Sequence, residues 1–366
     1  MNDIVYTVTA TIGTVVFGSM QNILVPILID SFKSNMGSPY FILITSAFFF
    51  WVVFGIMFSS YKMTTKPKSY PDGAHKIFFW TGTFDAFTGI FLVYASDATR
   101  TPIVLQSILA GTAIVFTVIA SKLLIVSKKD INYKNKYVFS SLFLLAISVG
   151  LSTIPQYVES DWGLQNLFWI IIFLVGIICR AIYNTLQEKY IEMAKAKESQ
   201  EFISNNDSRD WEHKLVILYW TCFYQFFVMV FFVWLDIIPF FGYSKPSNFL
   251  DHTKNFYKCY FLIDCKWTLL LGLGFIAGYI GSYFSAIYLN AKSANFSMLA
   301  TTMIPPAVIS FFEIFPSLNS GENYSPFIII SCISLNTACV IIWRYWERLE
   351  EKNNKHIDDR YSPIQL

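Results

Sequence analysis

The sequence predicts an all-α polytopic membrane protein of ten transmembrane helices, arranged as two inverted five-helix repeats with both termini cytosolic. Three observations carry that prediction. The 366-residue chain is 54% hydrophobic and only 14% charged, so a charged, solvated surface cannot cover it. Apolar runs of the roughly 20 residues that a helix needs to cross a ~30 Å hydrocarbon core recur from end to end. None of them alternates apolar and polar residues in the way of a membrane barrel, and a helix satisfies its own backbone in lipid.

The runs fall at about 5–29, 39–60, 76–96, 101–126, 137–154, 164–187, 215–241, 267–289, 294–315 and 325–346. Span 1 is too long, and too polar at Gln21-Asn22, for a cleavable signal, and reads as a retained helix. With the N-terminus in the cytosol, the basic clusters after span 2 (Lys62, Lys66, Lys68, Lys76), span 4 (Lys122, Lys128, Lys129, Lys134, Lys136) and span 6 (Lys189, Lys195, Lys197, Arg209, Lys214) all fall inside. Lys292 after span 8 and the C-terminal Arg344, Arg348, Lys352, Lys355 and Arg360 join them. The opposite side collects only Lys33, Arg100, Lys245, Lys254, Lys258 and Lys266. Such a bias places both termini inside and requires an even number of helices. It also accounts for the basic residues without nucleic acid.

The whole chain, 1–366, reads as one transmembrane domain. Residues 1–160 form a first five-helix half, 161–346 a second, and 347–366 a cytosolic tail. Five is odd, so the halves are inverted. Spans 4 and 9 pair best: SILAGTAIVF (107–116) and TMIPPAVISF (302–311) carry a helix-weakening Ala-Gly or Pro-Pro at one offset. Span 6 continues into the cytosol as a helix through QEKYIEMAKAKESQEF, and 204–210 is expected to be a loop.

Span 3, FFWTGTFDAFTGIFLVYAS, carries the first functional candidate. A carboxylate at mid-bilayer costs at least ~2.5 kcal/mol on insertion scales, so Asp85 is neutralised, paired or facing water. Helical spacing groups it with Gly82 and Gly89, flanked by Thr81 and Thr88, and turns Phe84, Phe87 and Phe91 elsewhere. The alternative is a fixed hydrogen bond to a neighbouring helix. In span 4, Gln106, Ala110, Ala113 and Thr117 share a stripe able to line the same cavity or to pack as a small-residue seam. In span 8, Gly274, Gly278, Gly281, Ser282 and Ser285 form a close-contact face. Span 9 brings Thr301 and Thr302 next to Pro305 and Pro306, which remove backbone donors. Irregular backbone at that depth is tolerated only against protein or water, so it marks a cavity, a hinge or a structural kink. Asp85, Thr81, Thr88, Gln106, Thr117, Ser282, Thr301 and Thr302 are therefore the candidate substrate and proton pathway, with Gly111, Pro305 and Pro306 as hinge candidates.

Arg180, Asn184 and Glu188 share a face of span 6 near its cytosolic end, where Arg180 is expected to snorkel; Asp236 and Glu313 are expected to reach the opposite interface. Cys259 and Cys265 lie in the longest non-cytosolic loop, where a disulfide can persist; the alternative is two free thiols at a helix start. The loop offers only His252 and irregularly spaced acids, so no metal site is expected there. All four histidines lie in loops or at span ends, no HEXXH, GXSXG or phosphate-binding Gly-Lys loop occurs, and no enzyme activity or cofactor is expected. Tyr361-Ser-Pro-Ile364 fits a tyrosine-based sorting pattern that an adaptor could read.

The segments FDAFTGIFLVYAS, TRTPIVLQS, AIYNTLQEKYIE, the Cys-bearing loop before span 8 and NAKSANFSMLATTMIPPA together resemble the chloroquine-resistance-transporter-like family of the drug/metabolite transporter superfamily. The resemblance covers most of the chain at low identity; its most specific parts are the span 3 Asp with the downstream Leu-Gln and the Cys loop between spans 7 and 8. It implies a ten-helix inverted-repeat carrier that exports amino acids, small peptides or amphipathic cations from an acidic vacuole or lysosome, coupled to protons. This chain departs from the family in having Ala110-Gly111-Thr112 where relatives often carry a Pro, two loop cysteines where they have four, and Gln21-Asn22 near a position that is often basic. The rival expectations are a nucleotide-sugar or other metabolite exchanger of the same superfamily, which needs paired basic residues for phosphate, and a non-transporting receptor or scaffold.

Overall fold

The structure is a computed structural model and describes residues 2–33, 38–64, 70–97, 100–101, 103–125, 135–159, 164–200, 206–261, 265, 267–315 and, in part, 327–350. The described residues are helical, with no strand. In chain order the helices are α1 (Asn2–Lys33), α2 (Tyr40–Thr64), α3 (Ala74–Ala95), α4 (Ile103–Gly111), α5 (Ala113–Leu124), α6 (Lys136–Glu159), α7 (Leu164–Gln200), α8 (Asn206–Phe231), α9 (Phe249–Tyr260), α10 (Thr268–Asn290), α11 (Ala294–Thr301) and α12 (Ile304–Ile314). A further apolar helical stretch, Ile330–Trp343, follows. The loop expected at 204–210 is helical from Asn206 onward. Tyr361, Ile364 and the Glu313 side chain lie outside the described residues.

Among the described residues six helices are long and apolar enough to cross a membrane: Val5–Ile29, Tyr40–Thr64, Ala74–Ala95, Leu167–Lys197, Trp211–Ile237 and Thr268–Asn290. The protein is therefore a multi-pass membrane protein. Its exterior suits lipid: Val5, Ile12 and Val16 on α1 are each more than half exposed, as are Phe139 and Phe143 on α6 and Ile330 beyond α12. Inside, hydroxyls satisfy themselves locally. Thr14, Thr81, Thr88 and Thr117 each donate to the carbonyl four residues back, at 2.7–2.9 Å.

Two apolar runs expected to be single helices are broken, and the residues explain where. At the first break, Thr112 donates both its amide (3.0 Å) and its hydroxyl (2.6 Å) to Leu109 O, tightening the turn between α4 and α5. At the second, Pro305 and Pro306 lack the N–H groups that would bond the Thr301 and Thr302 carbonyls, so α11 ends at Thr301. The prolines then fall in the first turn of α12, where no intrahelical donor is needed.

The most extensive helix pairings are α1 with α10 and α3 with α7, followed by α3 and α2 with α8. Glycines permit the closest of them. A Cβ on Gly82 would sit 2.7 Å from Thr221 O of α8, and one on Gly278 would sit 3.3 Å from Phe17 O of α1. The end of the molecule opposite the N-terminus is capped by α9, whose Phe256 and Tyr260 pack with Leu28, Phe32 and Phe41. The Cys259–Cys265 disulfide (Cα–Cα 4.7 Å) joins the end of α9 to the segment entering α10. Asp236 does not reach the interface: it is fully buried and accepts from Tyr94 Oη (3.1 Å) and Ser244 Oγ (2.6 Å), fixing the loop after α8. Neutral hydroxyls can surround a buried carboxylate where water cannot, which is why the loop folds inward over it.

Candidate functional site

Asp85 stands midway along α3 and is 4% exposed. Its Oδ2 accepts a hydrogen bond from the Tyr283 hydroxyl of α10, and that hydroxyl accepts in turn from Gln225 Nε2 of α8 at 3.2 Å. Gly82 sets this geometry, because its missing side chain lets α8 approach α3 closely enough to place Gln225 there. Tyr283 is held by rings on two sides, Phe50 at 5.7 Å and Tyr279 at 5.2 Å between centroids.

The free side of Asp85 faces a cavity of about 150 Å³ bounded by α1, α2, α3, α4, α7, α10, α11 and α12. Towards the end opposite the N-terminus it reaches Val25, Pro26, Val93, Ser96 and Gln106; in the other direction it reaches Thr14, Asn184, Ala286 and Met298. Both broken helices contribute, α4 through Gln106 and Ala110 and α11/α12 through Thr301, Ile304 and Val308. Span 1 adds Gln21, whose Nε2 donates to Gly278 O (3.0 Å), and Asn22, with Pro26 one turn on removing the donor for the Asn22 carbonyl.

A polar cluster joins α7 to α10 towards the N-terminal side of the cavity. Asn290 Nδ2 donates to Asn184 Oδ1 and to Gln187 Oε1, both at 2.7 Å, Gln187 Nε2 donates to Tyr183 Oη (2.7 Å), and Asn184 Nδ2 donates to Arg180 O (2.8 Å). Glu188 Oε2 accepts from Ala294 N (3.1 Å) at the start of α11, pinning that helix to α7. At the other end Gln106 Nε2 bridges Ser96 O (3.0 Å) and Thr101 O (2.6 Å), tying α4 to the end of α3.

Of the residues singled out from the sequence, Asp85, Thr88, Gln106, Ser282 and Thr301 line this one cavity. Thr81, Thr117 and Thr302 are buried off it, their hydroxyls bonded to Ile77 O, Ala113 O and Leu299 O. Gly111 ends α4 at the break, and the backbone of Pro305 and Pro306 opens α12. Arg180 departs from the snorkelling expectation: it lines the cavity that holds Asp85. Tyr283, Tyr279, Asn290 and Gln187 were not foreseen at all. Their positions depend on which helices meet, and Asn290 alone, a lone amide at the end of an apolar run, left a trace in the sequence. Among the described residues no group of His, Cys, Asp and Glu is arranged to hold a metal ion. Compared with known proteins, the chain matches no family model and no curated protein.

Proposed function

We propose that this protein is a proton-coupled secondary-active carrier that moves a small solute through the Asp85 cavity by alternating access, from an acidic vacuole or endolysosome to the cytosol. The observation that carries the reading is the cavity itself: a buried carboxylate midway along α3, in a cavity that two broken helices also line. Discontinuous helices in corresponding positions of two halves are where such carriers place their sites.

The reading includes ten spans in two inverted halves, with α4–α5 and α11–α12 as the fourth and ninth. Exchanging the halves turns the pairing of α1 with α10 into that of α7 with α3, and these are the two largest helix pairings. The charge bias orients the N-terminal end to the cytosol, so the Ser96 and Gln106 end of the cavity faces the lumen and the Asn290 cluster is the cytosolic seal. The resemblance to chloroquine-resistance-transporter-like carriers supports the same class and location. A phosphate-carrying exchanger fits less well, since among the described residues the cavity lining holds one cation, Arg180, and with it a carboxylate.

The energetics suffice. One proton descending a pH step of two supplies roughly 2.7 kcal/mol, and tenfold accumulation needs about 1.4 kcal/mol. The test is uptake of pooled amino acids, dipeptides and amphipathic cations into liposomes holding the purified protein, under an imposed pH step. At least one compound is expected to accumulate with the proton gradient. Absence of flux for every compound, with and without the step, overturns the carrier reading in favour of a receptor or scaffold.

A further inference from the structure

The cavity lining contains two charged side chains among the described residues, Asp85 on α3 and Arg180 on α7. Asp85 is engaged on one oxygen only: Oδ2 takes the Tyr283 hydroxyl, and no described residue donates to Oδ1. Arg180 has its carbonyl bonded to Asn184; its guanidinium shares the cavity with the Asp85 carboxylate and attracts it, yet no described residue accepts a hydrogen bond from it. A guanidinium carries five donors in a planar fork suited to a carboxylate or phosphate. Its charge is offset by Asp85, but its donor fork stands unfilled beside Phe173, Ile177, Phe275 and Tyr279, open to an acceptor that enters the cavity.

From this placement we infer that Arg180 is the seat of a carboxylate on the transported solute, and that the cavity selects small zwitterions over plain cations. The inference rests on the carrier reading and names the substrate class for the same site. Charge balance decides among anions. The two side chains sum to zero, so the ligand that leaves no net charge in a low-dielectric cavity is itself neutral overall, with its carboxylate on Arg180 and its ammonium towards Asp85 Oδ1. A phosphate monoester, at about −1.5 to −2, exceeds what one guanidinium beside a carboxylate can balance. A cation lacking a carboxylate would leave the Arg180 fork unfilled and add a repulsive neighbour. The apolar rings and aliphatic side chains favour an apolar substituent between the two charges.

The experiment is thermal unfolding of the purified full-length chain with each standard amino acid, and with the carboxamide of each one that raises the midpoint, in wild type, Arg180→Gln and Arg180→Lys. We expect at least one apolar amino acid to stabilise the wild type, with its amide at least tenfold weaker. The stabilisation should vanish in Arg180→Gln and be partly retained in Arg180→Lys. The inference is overturned if the amide binds as well as the acid, if Arg180→Gln keeps wild-type affinity, or if no amino acid stabilises the protein. Should Arg180→Gln fail to fold, the acid-to-amide ratio in wild type and in Arg180→Lys still decides. The readout needs no flux. Binding that depends on Arg180 without pH-driven uptake would sink the carrier reading and keep the subsite; pH-driven flux of cations indifferent to Arg180 would do the reverse.

Discussion

Asp85→Asn is expected to lower pH-driven uptake at least tenfold while leaving the protein folded. A proton can drive a carrier only if it binds the two access states differently. Among the described residues Asp85 is the one carboxylate in the lining of a cavity that both broken helices also line. Asparagine has nearly the same shape and cannot take up the proton. Its carbonyl oxygen still accepts the Tyr283 hydroxyl, so the α3–α10 contact survives. The loss of one hydrogen bond to a charged acceptor in favour of a neutral one changes stability by about 1 kcal/mol. The check is uptake in liposomes alongside the unfolding midpoint. Undiminished accumulation under a pH step in a folded variant would make Asp85 a structural acceptor for Tyr283.

The second large effect is expected at the N-terminal seal. Asn290 is fully buried, and its amide nitrogen serves two acceptors, Asn184 Oδ1 and Gln187 Oε1. Asn290→Ala leaves both without a donor. A buried acceptor that loses its partner costs about 1–3 kcal/mol, so the variant should lose about 2–4 kcal/mol in this state, read as a lower unfolding midpoint in detergent. Because the cluster joins α7 to α10, and under the carrier reading is the seal on that side, the same loss favours the state open to the N-terminal face. Under the carrier reading, Asn290→Ala therefore becomes leaky, with faster solute exchange when no pH step is applied. An unchanged midpoint would show that the cluster is not a seal.

Much of this arrangement is readable from residue order, and the remainder is not for a definite physical reason. A single carboxylate in an apolar run is conspicuous because lipid tolerates it so poorly, and that is how Asp85 stands out. The Gly274, Gly278 and Gly281 face announces close packing, and Gly278 does lie against the backbone of α1. Gly111 and Pro305-Pro306 mark weak helix, and the chain breaks beside each of them. Helical spacing, however, says which side chains share a face and not what that face meets. Thr81 and Thr117 share faces with residues of interest, yet their hydroxyls close onto their own helices inside the packing. Tyr283 was hidden for the same reason, since an aromatic ring every few residues in an apolar helix looks lipid-facing until its partner helix is known. Arg180 misled in the opposite sense. Proximity to a span end suggested an outward reach, whereas the packing of α7 on α3 turns its side chain into the cavity. Asp236 was misplaced likewise, because the inward fold of the loop after α8, secured by Tyr94 and Ser244, leaves no signature in hydropathy.

The measurement that bears most directly on alternating access uses Ser282, which lines the cavity on α10. In a chain whose free cysteines Cys179, Cys222, Cys332 and Cys339 are replaced and whose Cys259–Cys265 disulfide is kept, Ser282→Cys is exposed to an impermeant thiol reagent from one face of oriented vesicles and then from the other. A carrier with one mid-depth site predicts reaction from both faces, with the ratio changed by a pH step and both rates slowed by a transported solute. Reaction from a single face at every pH, unaffected by any solute, would contradict it.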